Sequence, residues 1–244
     1  TVIYERLPSR DHTERMLSQM GVDLDRHKNL LRVKGPCTLL PMEWFVPGDI
    51  SSAAFWMVAA TVISGSEILV RDVGINPTRT GVLEVLQSMG AEIYVQHRRV
   101  VSGEPLANIL VRYSELKPIE LSGDIIPSLI DEIPILAVAM AMASGTSVVR
   151  DAAELRIKES DRIAMIASSF DRMGVKIEET DDGFRVHGTG EIPGNSQVSS
   201  GGDHRMAMSL AIAGLVADKP VTIKGFDCTS VSYPGFPEDL AFLS

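Results

Sequence analysis

The chain has 244 residues, 45% of them apolar but only 5% aromatic, so Ala, Val, Ile, Leu and Met must fill a sizeable core. Its formal net charge is −9, from 23 basic and 32 acidic residues, which excludes a generally basic surface for nucleic acid but leaves room for a local cationic site. The two cysteines, Cys37 and Cys228, are too few for a disulfide framework or a metal set and read as reduced thiols of a cytoplasmic protein; no run approaches the ~18 apolar residues of a membrane span.

In chain order, SRDHTERMLSQ followed by Met20-Gly21 looks like the tail of a truncated repeat unit. Pro41–Ser52 (PMEWFVPGDISS) carries two prolines and a glycine and breaks the periodicity, so a boundary is expected there. A unit then runs from Ser51 to Ile93: an apolar helix at Ala53–Ile63, the strand EILVRDV, a loop, a second helix at Gly81–Met89, and SMGAEIYV. The next runs from Asp131 to Ile177, with an apolar helix at Ile135–Met142, the strand TSVVRDA, an amphipathic helix at Asp161–Met173, and a hairpin in which FRVHG follows DDG. The third opens GGDHRMAMSLAIAGLVADKP, continues VTIKGF and ends PGFPEDLAFL.

The first helix of each unit is apolar nearly all round and is expected to be buried. The second is amphipathic and ends at a glycine suited to positive φ. Repeats of this length stack or close around a pseudo-symmetry axis, which puts the helices inside and the sheets outside.

Polar clusters in this apolar background are the candidate chemistry. Lys158, Glu159 and Arg162 are expected at the start of the amphipathic helix, with Lys158 and Arg162 four apart on one face. Cations at a helix N-terminus oppose the macrodipole, so either an anion sits between them or the cluster is a solvated turn. His204 and Arg205 stand in the first turn of the third unit's helix, with the same two readings. Asp131, beside Glu132 in PSLIDEIPILAVA, either caps a helix or serves as a general base whose basicity burial raises. Asp49 is expected as a cap. Arg79, in Asn76-Pro-Thr-Arg79, is a third anion contact or part of a capped turn. No zinc spacing, GxGxxG, Walker loop or GxSxG is present.

PGDISSAAF, NPTRTGVLEVLQSMGA, LIDEIPILAVA, ELRIKESDR, GGDHRMAMS and SVSYPGFPEDL resemble successive signatures of the EPSP synthase family, in family order and across essentially the whole chain. The resemblance implies an α/β fold of repeated βαβαββ units, helices inside and sheets outside, an inside-out α/β barrel of the enolpyruvyl transferase kind. It implies transfer of the enolpyruvyl group of phosphoenolpyruvate to the 5-hydroxyl of shikimate 3-phosphate, with release of phosphate and no metal or organic cofactor. Carried over by motif, Asp131 matches the base for the hydroxyl, and Lys158 and Glu159 match the pair that moves a proton to and from the methylene. Lys158, Arg162, His204 and Arg205 fall at the phosphoenolpyruvate (and glyphosate) site. Ser9, Arg10, Asp131 and Lys158 fall at the shikimate 3-phosphate site.

Against one branch of the family the chain departs at His12 (Tyr there), Glu154 (Asn) and Val231 (a lysine contact). Arg10-x-His12-x-Glu14 and Asn76-x-Thr78-Arg79 resemble the glyphosate-insensitive branch instead. The family's first half has no counterpart here. Residues 1–46 therefore resemble the end of the far domain, and 47–244 most of the near domain. The chain is expected to fold and work only with a complementary N-terminal segment. The alternatives are a non-catalytic association fragment, and the UDP-N-acetylglucosamine enolpyruvyl transferase relative, which resembles the chain less.

Overall fold

The computed structural model describes residues 1–5 and 9–243. The chain opens with β1 (Val2–Tyr4), α1 (His12–Gln19), β2 (Leu24–His27) and β3 (Leu30–Val33). The strands form an antiparallel sheet in the order β1-β3-β2. No residue of α1 is buried. Residues 34–47 form neither helix nor strand, overlapping the Pro-rich stretch where the sequence loses its period.

The first unit comprises α2 (Ile50–Val62), β4 (Glu67–Gly74), α3 (Gly81–Ser88), β5 (Glu92–Val101) and β6 (Glu104–Arg112), with an antiparallel sheet β4-β6-β5. The second comprises β7 (Glu120–Leu121), α4 (Ile133–Met142), β8 (Ser144–Val149), α5 (Arg162–Arg172), β9 (Lys176–Thr180) and β10 (Gly183–Thr189). Its sheet order is β7-β8-β10-β9, and β9 and β10 form the expected hairpin. The third comprises β11 (Ser196–Ser199), α6 (His204–Leu215), β12 (Val221–Lys224) and α7 (Phe236–Leu243).

One connection recurs in all three units. A short extended segment enters the central helix, and the strand leaving that helix pairs with it in parallel. Gly48 bridges Val73 around α2, β7 pairs β8 around α4, and β11 pairs β12 around α6. Parallel neighbours require a crossover, and here the crossover is the buried helix itself. α2, α4 and α6 pack on one another and carry no polar stripe; all residues from Ile133 to Ala141 are buried. A helix apolar on every side is stable only when surrounded, so the sheets lie outside.

The outer helices stop where the sequence places glycine. Gly21, Gly90 and Gly174 take φ of 85°, 102° and 86° after Met20, Met89 and Met173. Each following amide turns back to the helix, as in Val175 N to Phe170 O at 2.9 Å, a Schellman-type stop open to glycine at little cost. Helix starts lie a few residues earlier than the apolar runs suggest. Asp49 caps α2 by accepting from Ser52 N at 3.3 Å, as expected. α4 begins at Ile133 because Pro134 suits a first turn.

Candidate active site

The N-termini of the three central helices meet. α2 contributes Ser51, α4 contributes Glu132 with Asp131 just before it, and α6 contributes His204 and Arg205 behind the cap Asp203. The buried Ser51 hydroxyl donates to the buried Glu132 carboxyl group. Arg205 approaches Asp131 to 3.6 Å and Glu132 to 3.9 Å. Arg79 donates to Ser51 Oγ at 2.7 Å and to Asp49 at 3.0 Å. Helix N-termini carry unpaired amides and a positive dipole end, so their meeting place favours anions.

Arg162 opens α5 and is 0% exposed. Asp161 caps that helix by accepting from Ala164 N at 3.0 Å. The guanidinium donates through Nε to Asp203 Oδ2 at 2.8 Å, and through Nη2 to Glu159 at 2.6 Å. Its Nη1 reaches Asp131 at 3.4 Å. Asp203 also accepts from Ser160 Oγ (3.0 Å) and from the amides of Arg205 (2.9 Å) and Met206 (3.3 Å). A buried charge is tolerable only when paired and hydrogen-bonded, and Arg162 is both.

Arg205 differs. Among the described residues its guanidinium makes two ion pairs and no side-chain hydrogen bond, and its Nε is buried without a partner. Five donors in a planar fork remain largely unused at the meeting of three helix ends.

The electrostatics follow from these contacts. Burial pushes the Asp131 carboxyl up, but Arg205, then the Arg10 hydrogen bond and charge, then Lys158 outweigh it and hold the group down at about 2. This corrects the expectation that burial makes Asp131 more basic: here the cations win. Burial dominates at Glu132 and raises it despite Ser51, Arg205 and Arg79. Burial also tends to raise Asp203, but Arg162 holds it below the usual carboxylate range. His204 is lowered by burial and by the neighbouring Arg205, which favours its neutral form.

Asp131, Glu159, Arg162, Arg205 and Arg10 are brought together, Arg10 by direct pairing with Asp131. Lys158 is near enough to act on Asp131 electrostatically, yet it is not on the helix. It lies in the bend after a 3-10 turn at Ala153–Ile157 and pairs with Glu154 at 2.5 Å; the expected shared face with Arg162 does not exist. Asp131 is not the helix cap either, since Glu132 holds that position without a side-chain cap bond. Ser9 donates to Glu5 at 2.7 Å rather than to this cluster. Ser51, Glu132 and Asp203 had no role assigned from sequence, although a polar residue at the head of an apolar helix was the signal at each. Among the described residues no group of three His, Cys, Asp or Glu is placed to hold a metal ion, and no helix is long and apolar enough to cross a membrane.

These features define an α/β protein with inward helices whose N-terminal ends bring Arg162 and Arg205 together with Asp131 and Glu132. The family profile described as EPSP synthase (3-phosphoshikimate 1-carboxyvinyltransferase) matches residues 1–240, and the chain belongs to that family. It is 52% identical over 238 residues to a 3-phosphoshikimate 1-carboxyvinyltransferase of Synechococcus sp. (strain JA-3-3Ab), covering 97% of this chain and 53% of the relative. The corresponding Bacillus licheniformis protein is 46% identical over 244 residues, 100% of this chain and 57% of the relative. The solved EPSP synthase of Acinetobacter baumannii superposes with a TM-score of 0.95 at 42% identity, covering 100% of this chain and 56% of that one. The enolpyruvyl transferase NikO from Streptomyces tendae shares the fold, with a TM-score of 0.76 at 19% identity. The chain thus spans about half the length of the relatives it matches.

Proposed function

We propose that this chain supplies the phosphoenolpyruvate contacts and the acid–base groups for enolpyruvyl transfer to the 5-hydroxyl of shikimate 3-phosphate. The observation that carries the reading is Arg205, with its unspent donors beside the buried Arg162 and the carboxylate of Asp131. A carboxylate or phosphate placed there gains charge-assisted hydrogen bonds from a preorganised site.

In this reading Asp131 takes the hydroxyl proton as that oxygen bonds to the second carbon of phosphoenolpyruvate. Lys158 or Glu159 gives a proton to the methylene carbon, and a tetrahedral ketal forms. The methyl group returns a proton, the carbon–phosphate oxygen bond breaks, and phosphate leaves toward Arg162 and Arg205. Held at about 2, Asp131 is a weak base in the ligand-free protein. Anionic substrates draw Arg10 and Arg205 to themselves, burial then prevails, and the carboxylate becomes more basic as the reaction needs it. His204 lines the phosphoenolpyruvate side, and Ser9 and Arg10 serve the phosphate of shikimate 3-phosphate.

The proposal extends to a partner. Ile3, Leu30, Leu39, Leu40, Phe45 and Val46 are exposed apolar side chains within residues 1–46, and α1 buries nothing. We read residues 1–46 as part of a far domain and 47–244 as near domain, with a complementary N-terminal segment covering that apolar surface. A cytoplasmic setting accords with the two unpaired thiols. The test is steady-state kinetics on the complete synthase. Asp131→Asn should lower kcat by roughly 10²–10⁴-fold with smaller changes in KM. A variant with near-native kcat would remove Asp131 as the base.

A further inference from the structure

Two motifs have no part in the reaction above apart from Arg10: Arg10-x-His12-x-Glu14 and Asn76-x-Thr78-Arg79. They are far apart in sequence, and the fold makes them one unit. Asn76 is 1% exposed. Its Oδ1 accepts from the Thr78 amide at 2.9 Å and from Thr78 Oγ1 at 2.8 Å, an Asx turn that fixes which way the side-chain amide points. Its Nδ2 then donates to Asp11 Oδ1 at 2.6 Å and to Glu104 Oε2 at 3.2 Å. His12 Nδ1 lies 2.7 Å from Glu104 Oε1. Arg15 ties the same corner together, donating to Asp11 at 2.8 Å and to Gly103 O at 3.2 Å.

Asp11 occupies the N-cap position of α1 yet gives its helix no side-chain cap bond. An aspartate there ordinarily accepts from an amide of the first turn. Here the carboxylate is directed to Asn76 and Arg15 instead. Burial tends to raise it, but the hydrogen bonds from Arg15 and Asn76 hold it below the usual range, so it stays an anion facing donors.

Arg10 directly precedes Asp11, and its guanidinium pairs with Asp131. Where Arg10 stands is therefore set by where Asp11 is held. We infer that Asn76, with Asp11, His12 and Glu104, forms a clasp that positions Arg10 across from Asp131. Asn76 is then a positioning residue for the contact to the phosphorylated substrate. The inference rests on the proposed function only in naming that substrate; the clasp itself is a property of the chain.

Asn76→Asp keeps the shape and turns a donor into a carboxylate oxygen facing Asp11 and Glu104. In the complete synthase, amide exchange within α1 should quicken by about tenfold or more, because a charge-assisted bond becomes a repulsion. In the complete synthase, KM for shikimate 3-phosphate should rise about tenfold while KM for phosphoenolpyruvate stays within about twofold. Adding Asp11→Asn restores a donor–acceptor pair with the roles exchanged and should recover most of both effects. Unchanged exchange in α1 would overturn the clasp. Equal rises in the two KM values, or no recovery in the double variant, would overturn the positioning role. A parent synthase that turns over neither substrate would sink the proposed function, and the exchange measurement would still decide the clasp.

Discussion

Arg162 Nε and Asp203 Oδ2 meet at 2.8 Å with neither side chain exposed to solvent. Asp203 does two things at once: it compensates the buried guanidinium, and it caps α6 through the amides of Arg205 and Met206. Asp203→Asn can keep Oδ1, the one oxygen that accepts from both amides, but removes the compensating charge. Breaking one side of a buried pair costs about 3–5 kcal/mol, since the remaining charge is stranded. Urea unfolding of the complete synthase should show a loss of that order. A loss below about 1 kcal/mol would mean that Glu159 and Asp131 suffice to neutralise Arg162.

Asp131 and Glu132 are adjacent, yet they should pull stability in opposite directions with pH. Burial at Asp131 is overridden by Arg205 and Arg10, which hold the folded value at about 2, below the ordinary ~3.9. Its stabilisation is complete above about pH 4 and is lost as pH falls toward 2, amounting to about 2 kcal/mol. Burial raises Glu132, so its contribution is present below the unfolded value of ~4.3 and is lost as pH rises through the folded value. Asp131→Asn should flatten the acid limb of a stability–pH curve. Glu132→Gln, which still accepts from Ser51, should flatten the alkaline side and stabilise the chain near pH 8. If Glu132→Gln destabilises equally at every pH, the carboxyl group is fully compensated by Arg205 and Arg79.

Much of this is legible in the sequence, and the failures have two causes, a helix start set by its cap and contacts made between distant segments. The unstriped helices α2, α4 and α6 could only be interior, and the glycines after Met20, Met89 and Met173 could only end helices. Lys158 was misplaced because four-residue spacing says which residues share a face, not where the helix starts; Asp161, accepting from Ala164 N, starts it at Arg162. The burial of Asp131 was readable from its apolar neighbours, but the arginines that reverse its effect come from positions 10 and 205. Ser51 and Glu132 sit in different units, and nothing local announces that they touch.

His12 and Asn76, from the two motifs that resemble the glyphosate-insensitive branch, are joined through Glu104 in the fold. We predict that the complete enzyme tolerates glyphosate better than the plant-type branch does. Inhibition measured in competition with phosphoenolpyruvate decides it. Strong inhibition well below the KM for phosphoenolpyruvate would refute the assignment to that branch.

The three units bend the chain in the same way after their central helix, but not with the same tolerance. Asp72, Asp151 and Gly225 occupy matching places in VRD, VRD and IKG, with φ of 56°, 58° and 72°. Aspartate accepts this left-handed conformation better than most residues, and both aspartates use their carboxylates there. Asp72 pairs with Arg99 at 2.7 Å, and Asp151 accepts from Gly123 N at 2.9 Å. Gly225 has no such room, because a Cβ there would stand 2.8 Å from Ser200 Oγ. That hydroxyl donates to Gly225 O at 2.8 Å and accepts from Gly202 N at 3.1 Å, one residue before the cap Asp203. Gly225→Asp should therefore fail where the other two units carry aspartate. Left-handed strain of about 1–2 kcal/mol adds to about 1–3 kcal/mol for disturbing the Ser200 bonds. Asp151→Gly, losing one exposed hydrogen bond but easing the backbone, should stay within about 1 kcal/mol of the native chain. Urea midpoints of the two variants, measured side by side, test the contrast. Equal stabilities would show that Ser200 yields, and that the turn before α6 does not depend on a bare backbone at 225.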